Sequence, residues 1–325
     1  MKKIIYRVSF VIISILFLII ISLYSIIHLS KPSNNGIVNI SNVIDSVTVI
    51  KDQWGIPHIE AKNQHDAIFT YGYTIAKDRL FQMDLQRRLA RGELSEILGK
   101  ELVKIDKMLR TYMIVHHAKK YIADSSNINP EALKYVDAYI EGINYFIKTG
   151  PKTIEHQIIG AKVRPFDRVD VASMTIYMAF SFMDGMRRDM IYSMIKQQIS
   201  AKNLAIIFPD YADQNYFTIQ EANSDTIKKR YYNESKVIEN DSSYKNLISF
   251  FDFSESINIY NPPFHGSNSW ILSSKRSQSG IPLLANDPHI GLSKPDVWYE
   301  AHISYPGFNT YGYYIPTIPF PLIGH

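Results

Sequence analysis

The sequence predicts an α+β protein. Helical periodicity fills residues 65–99, 130–148 and 168–200, and strand-like segments occupy 44–61 and 268–286. The composition is globular, with 46% hydrophobic and 20% charged residues. At 325 residues the chain is long enough for one large domain or two ordinary ones.

The first element is a membrane anchor. Lys2, Lys3 and Arg7 precede a stretch from Val8 to Ser30 that holds no Asp, Glu, Lys or Arg. A bilayer core needs about 20 apolar residues. The basic residues lie before the run, so the N-terminus is expected in the cytoplasm and the remainder on the exported, periplasmic or extracellular side. A cleaved signal peptide is the competing reading. The apolar run is longer than a signal core of roughly 7–15 residues and lacks a small-x-small cleavage site, which favours an uncleaved anchor. "KPSNNG" (31–36) reads as a linker, which closes a first region at 1–36.

Residues 37–222 form the second region. "IDSVTVIKDQWGIPHIEA" (44–61) reads as a strand, the turn "QWG" and a second short strand, with Val47 and Val49 on one face. From His65 to Gly99, Ile75, Leu80, Met83, Leu85 and Leu89 recur at three- and four-residue spacings. Asp84 and Arg88 sit at i,i+4 and support that helix, and Gly92 and Gly99 are its expected stops. Asp167 or Asp170 is expected near the start of the helix in "RPFDRVDVASMTIYMAF". Residues 223–266 are mostly polar, charged and weakly periodic, and read as a spacer. After it, "NSWILSS" and "IPLLAND" predict a hairpin closed by "KRSQSG". The tail "YYIPTIPFPLIGH" is apolar and Pro-rich, and suggests that a domain begun at 267 continues past residue 325.

Several function classes are excluded or weakened. The net charge is only +4 and no basic block exists, which argues against a nucleic-acid partner. The absence of Cys excludes disulfides, a thiol nucleophile, a zinc ribbon and a Cys-linked lipid. His116 and His117 are adjacent and point to different faces of a helix, so they make a poor chelating pair.

The stretch carrying candidate chemistry is "FHGSNSW" (264–270). One reading is a turn that feeds a strand. The other is a concealed N-terminal nucleophile. A serine hydroxyl needs a base, and a free α-amine, with a pKa of about 7.7–8.0, can serve. Gly266 is the least hindered residue to precede an attacking hydroxyl, and a strand after Ser267 would aim it.

"HGSNSW" followed by "GIPLLANDPHIGLSKPDVWYEAH" resembles the start of the β subunit in the penicillin acylase (penicillin amidase) family of N-terminal-nucleophile hydrolases. "VIKDQWGIPHIEA" and "YGYTIAKDRLFQMDLQRRLARGELSEILGK" resemble two stretches of that family's α subunit, in the expected order. The resemblance runs from about residue 45 to 325 and is weakest through 200–263. It implies a four-layer αββα sandwich, an α-subunit-like segment over 37–222, a spacer over 223–266 and the start of a nucleophile domain at 267–325. It also implies self-cleavage between Gly266 and Ser267, an α/β heterodimer, and hydrolysis of the amide of a small N-acyl substrate without an organic cofactor. Ser267 matches the nucleophile. Asn268 and Trp270 match the motif after it, with Trp270 assigned to the substrate pocket or to packing. His289 falls where some members carry Gln and others His; those with His tend to resemble cephalosporin acylases and acyl-homoserine lactone acylases. There it would tune the Ser267 proton, the alternative being a structural histidine at a strand end. Asp287 would fix the turn around Pro288. "MAFSFMDGMRRD" (178–189) aligns with a helix bordering the acyl pocket, which assigns Met178 and Phe182 to that pocket. Ser181 stands where penicillin G acylases carry Arg, which weighs against a phenylacetyl preference. The same region implies a structural calcium ion, with Asp189 beside the acidic ligand position.

Two rival readings remain at this level. "SMIK" places Ser193 and Lys196 in S-x-x-K spacing, as in serine-acylating penicillin-binding enzymes, without an S-D-N or K-T-G partner. A membrane-anchored binding protein without catalysis would fit if Ser267 were never freed.

Overall fold

The computed structural model describes residues 2–124, 126, 128–181, 191–196, 198–207 and 264–325. The chain divides into two compact units, residues 1–178 with 259–325, and residues 179–258. Among the described residues of the second unit, 191–196 are helical and a helix spans Ala201–Ile207. The spacer read over 223–266 falls mostly outside the described residues.

Helix α1 (Lys2–Ser30) is exposed along nearly its whole length, and its Lys3–Ser30 stretch is long and apolar enough to cross a membrane. Strands β1 (Thr48–Lys51) and β2 (Pro57–Glu60) form the expected hairpin, with Ile59 fully buried on its inner face. Helix α2 (Gln64–Arg91) begins at Asn63, whose side-chain oxygen accepts from the Asp66 N–H. It ends at Gly92, where φ is +64° and the N–H returns to Arg88 and Leu89 carbonyls. Arg79 departs from helical angles and kinks α2 at mid-length. Short helices α3 (Ser95–Leu98), α4 (Val103–Thr111) and α5 (Ile114–Ala123) follow. Then come α6 (Pro130–Thr149), α7 (Ile154–Ile158) and α8 (Arg168–Ser181). Asp167 and Asp170 cap α8 reciprocally, each carboxylate accepting from the other's backbone N–H.

Strands β3 (Phe264–Leu272) and β4 (Leu283–Ile290) form a separate two-stranded ladder. Strands β5 (Tyr299–Tyr305), β6 (Phe308–Tyr314) and β7 (Ile323–Gly324) join β1 and β2 in a five-stranded sheet of order β1-β2-β5-β6-β7. Only the β2–β5 pair is parallel; it brings residues 58–60 beside 302–304. The β5–β6 hairpin was not anticipated from the sequence; the tail read as Pro-rich, 313–325, begins only at its end. The alternation of buried Tyr299, Ala301 and Ile303, followed by Pro306-Gly307, is its signal.

Helices α2 and α6 cover the inner face of this sheet. Ile68, Tyr71, Ile75, Tyr139, Ile143, Ala301, Ile303 and Tyr314 are fully buried in one cluster. The two helices cross at Gly72 and Gly142. A methyl group on either would overlap a backbone carbonyl of the other helix, that of Tyr139 or Phe69. Each large apolar side chain buried here contributes about 1.5–3 kcal/mol.

A charged network lies under the C-terminal half of α2. Arg87 is fully buried; its Nε donates to Asp84 Oδ1 at 3.0 Å, and its Nη1 to the carbonyl of Arg164 at 2.8 Å. Arg88 Nε donates to Asp84 Oδ2 at 3.0 Å, and the buried His156 ring meets the same oxygen at 3.3 Å. Burial alone would raise the Asp84 pKa. The His156 hydrogen bond and the Arg87 and Arg88 charges outweigh it and hold the carboxyl well below the usual range. The i,i+4 Asp84–Arg88 pair expected from its spacing does form, and it is part of the interior.

Candidate active site

The β3–β4 ladder positions the sequence-predicted residues. Its register pairs Gly266 with His289, Ser267 with Pro288, Asn268 with Asp287 and Trp270 with Ala285. A register irregularity lies between Phe264 and Gly266, and Gly266 has φ +143°. That angle strains any residue with a Cβ, so the position immediately before Ser267 selects glycine on backbone grounds. Pro288 has no N–H to give to the ladder, which weakens pairing opposite Ser267. Ser267 itself is exposed.

Residues directly opposite in an antiparallel pair share a face, and faces alternate along each strand. Gly266, Asn268, Asp287 and His289 therefore share one face, and Ser267 lies on the other. The contacts agree: His289 Nε2 meets Asp287 Oδ2 at 2.8 Å, and Asn268 Nδ2 approaches the same nitrogen at 3.4 Å. The carboxylate fixes the proton on Nε2 and leaves Nδ1 as the acceptor. In the uncut chain His289 thus flanks the Gly266 side of the 266–267 bond, on the face opposite the Ser267 side chain. Asp287, read from the sequence as a turn residue, orients the imidazole instead.

The remaining candidates do not converge on this ladder in the described residues. Trp270 is 55% exposed on the His289 face. Met178 lies half-buried near the end of α8. Phe182 and Asp189 lie outside the described residues. Among the described residues no group of three or more His, Asp or Glu side chains is placed to hold a metal ion. A cavity of about 1020 Å³ sits where the end of α1, the α2 kink, α7 and residues 293–297 meet, and none of the sequence-predicted residues lines it.

Comparison with known proteins bears on identity. The acyl-homoserine lactone acylase QuiP of Pseudomonas aeruginosa is 26% identical over 298 residues, covering 91% of this chain and 34% of that protein. The penicillin acylase 2 proenzyme of Pseudomonas sp. (strain SE83) is 27% identical over 298 residues, covering 90% of this chain and 37% of that one. The chain thus spans about a third of the length of the curated relatives it matches. Superposition on the thermostable penicillin G acylase from Alcaligenes faecalis covers 54% of this chain and 94% of that one, at 25% identity and a TM-score of 0.42, too low to carry a fold assignment. The penicillin amidase family model matches residues 46–325. The chain belongs to the penicillin amidase family.

Proposed function

We propose that this chain carries the nucleophile of an amide-hydrolysing acylase that cuts itself between Gly266 and Ser267. The observation that carries the reading is the register irregularity ending at Gly266, whose φ of +143° kinks the backbone immediately before an exposed serine within β3. In the cut, Ser267 Oγ attacks the Gly266 carbonyl carbon and the C–N bond breaks. The acyl group passes to oxygen, water hydrolyses that ester, and the α-amine of Ser267 is released. In turnover, that amine takes the hydroxyl proton as Oγ adds to the substrate carbonyl. Collapse of the tetrahedral oxyanion expels the leaving amine, which takes the proton back. Water then hydrolyses the acyl-serine by the same route, giving a carboxylic acid. His289 acts beside the amine, held by Asp287, because it faces Gly266 and not the hydroxyl. The substrate is a small N-acyl amide such as an acyl-homoserine lactone or a β-lactam side-chain amide, the classes named by the relatives above. The four-layer αββα sandwich and an α/β heterodimer after cleavage belong to the same reading.

The test is hydrolysis of a panel of N-acyl-homoserine lactones and N-acyl β-lactams by the product of the complete reading frame containing these residues. Ser267→Ala should release no acid or amine and keep its thermal unfolding profile. Turnover by Ser267→Ala would overturn the assignment. We also place α1 in the membrane as an uncleaved anchor. The protein should sediment with membranes and be cut by protease added from the exported side. Recovery in the soluble exported fraction with a new N-terminus near residue 31 would contradict this.

A further inference from the structure

We propose that His58 and His302, on the outer face of the five-stranded sheet, form a two-imidazole clamp for a borderline first-row divalent cation such as Zn²⁺, Cu²⁺ or Ni²⁺. The two residues are direct partners in the parallel β2–β5 pair. Their neighbours Ile59 and Ile303 point into the core, so both rings are directed outward. The two Nδ1 atoms face each other at 3.1 Å. Two imidazoles on one cation, with bonds of about 2.0–2.1 Å and an angle between 90° and 110°, place their nitrogens about 2.9–3.4 Å apart.

The opposite ring atoms set the protons. His302 Nε2 lies 2.7 Å from Asn309 Oδ1, which can only accept, so that nitrogen carries the proton and Nδ1 carries the lone pair. His58 Nε2 faces the Asp52 carboxylate at 3.7 Å, which favours a proton there too. With both Nε2 atoms protonated, the two Nδ1 lone pairs face each other with no proton between them, and a cation set to one side of the N–N line, about 2.0–2.1 Å from each nitrogen, relieves the repulsion. An oxygen acceptor behind each ligating imidazole is also the arrangement that raises its basicity and fixes its orientation. The His58 side chain is 32% exposed, so an ion has access, and water supplies the other coordination positions. Imidazole donors select borderline metals over Ca²⁺ and Mg²⁺.

The clamp joins β2, before residue 266, to β5, after it. If the chain is cut as proposed above, the ion ties the two polypeptides together. The site itself does not depend on the cut, so it is measured in both wild type and the uncut Ser267→Ala protein.

The full chain in detergent is titrated with Zn²⁺, and separately loaded with one equivalent of Cu²⁺ for electron paramagnetic resonance. One saturable Zn²⁺ site is expected, unaffected by millimolar Ca²⁺ or Mg²⁺, with a Cu²⁺ spectrum reporting two nitrogen ligands. His58→Ala and His302→Ala should each abolish the site. Asn309→Ala, which leaves both ligands and removes only the partner of His302, should weaken it about 10–100-fold. The His116→Ala/His117→Ala double variant should bind as wild type. Circular dichroism verifies folding of each variant. Unchanged Zn²⁺ affinity in folded His58→Ala or His302→Ala, or competition by Ca²⁺, would overturn the proposal and leave the pair as an N–H···N hydrogen bond.

Discussion

The α2–α6 core and the β3–β4 ladder are built on opposite principles. In the core, Arg87, Tyr71 and Tyr139 are fully buried and linked to distant parts of the chain. Tyr139 donates to the Pro316 carbonyl at 2.6 Å, and Lys51 and Tyr299 both reach Asp78 at 2.7 Å. In the ladder, Ile271 is 80% and Leu284 71% exposed, and among the described residues the side-chain hydrogen bonds of Asn268, Ser269 and His289 stay within the hairpin. Burial holds the first region together; backbone pairing and a few side-chain hydrogen bonds across the hairpin hold the second. Substitutions in the ladder should therefore change chemistry with little change in stability, and substitutions in the core should do the reverse.

The largest effect is expected at Ser267. Its replacement by Ala should remove both self-cleavage and turnover, since no other group on the ladder is placed to take over nucleophilic attack. Next is His289. His289→Ala should lower turnover by about 10²–10⁴-fold, in the range of one general acid–base contribution. Self-cleavage should slow as well, with the melting temperature unchanged. Normal processing and turnover in that variant would make His289 a structural residue held by Asp287.

Asp84 should behave in the opposite way. Asp84→Ala removes the carboxylate shared by two buried guanidinium groups, and removing one partner of such a pair typically costs about 3–5 kcal/mol. Denaturant unfolding measures it. The folded pKa of Asp84 lies below its unfolded value of about 3.9, so its stabilisation is present above that value and is lost as pH falls through the folded pKa. Unfolding free energy should therefore drop steeply below about pH 4 in wild type and less steeply in Asp84→Asn. An equal acid response in the two proteins would remove Asp84 from the account. The smallest effect is expected at Trp270. Exposed and away from the core cluster, its replacement by Ala should change stability by no more than about 0.5 kcal/mol. A larger loss would mean that the ladder is packed against something.

The sequence made local features legible and long-range ones not. Helix α2, its stop at Gly92, the β1–β2 hairpin and the β3–β4 hairpin follow from periodicity and turn residues within a few positions of each other. The buried role of Asp84 did not, because an i,i+4 Asp–Arg pair looks the same on a surface helix. Its partner His156 and the carbonyl of Arg164 that receives Arg87 lie more than 70 residues away. The β2–β5 pairing spans more than 240 residues and has no local signature. At the candidate site the strand start was not readable, as β3 begins at Phe264, three residues ahead of the serine, but the glycine before Ser267 was. The face that His289 occupies was not, because a one-residue difference in register reverses it.

The most direct measurement of the central claim is the N-terminal sequence and intact mass of every polypeptide in the purified, active protein. One polypeptide should begin at Ser267, and the Ser267→Ala protein should lack it. An unbroken Gly266–Ser267 bond in a preparation that hydrolyses N-acyl amides would contradict the account.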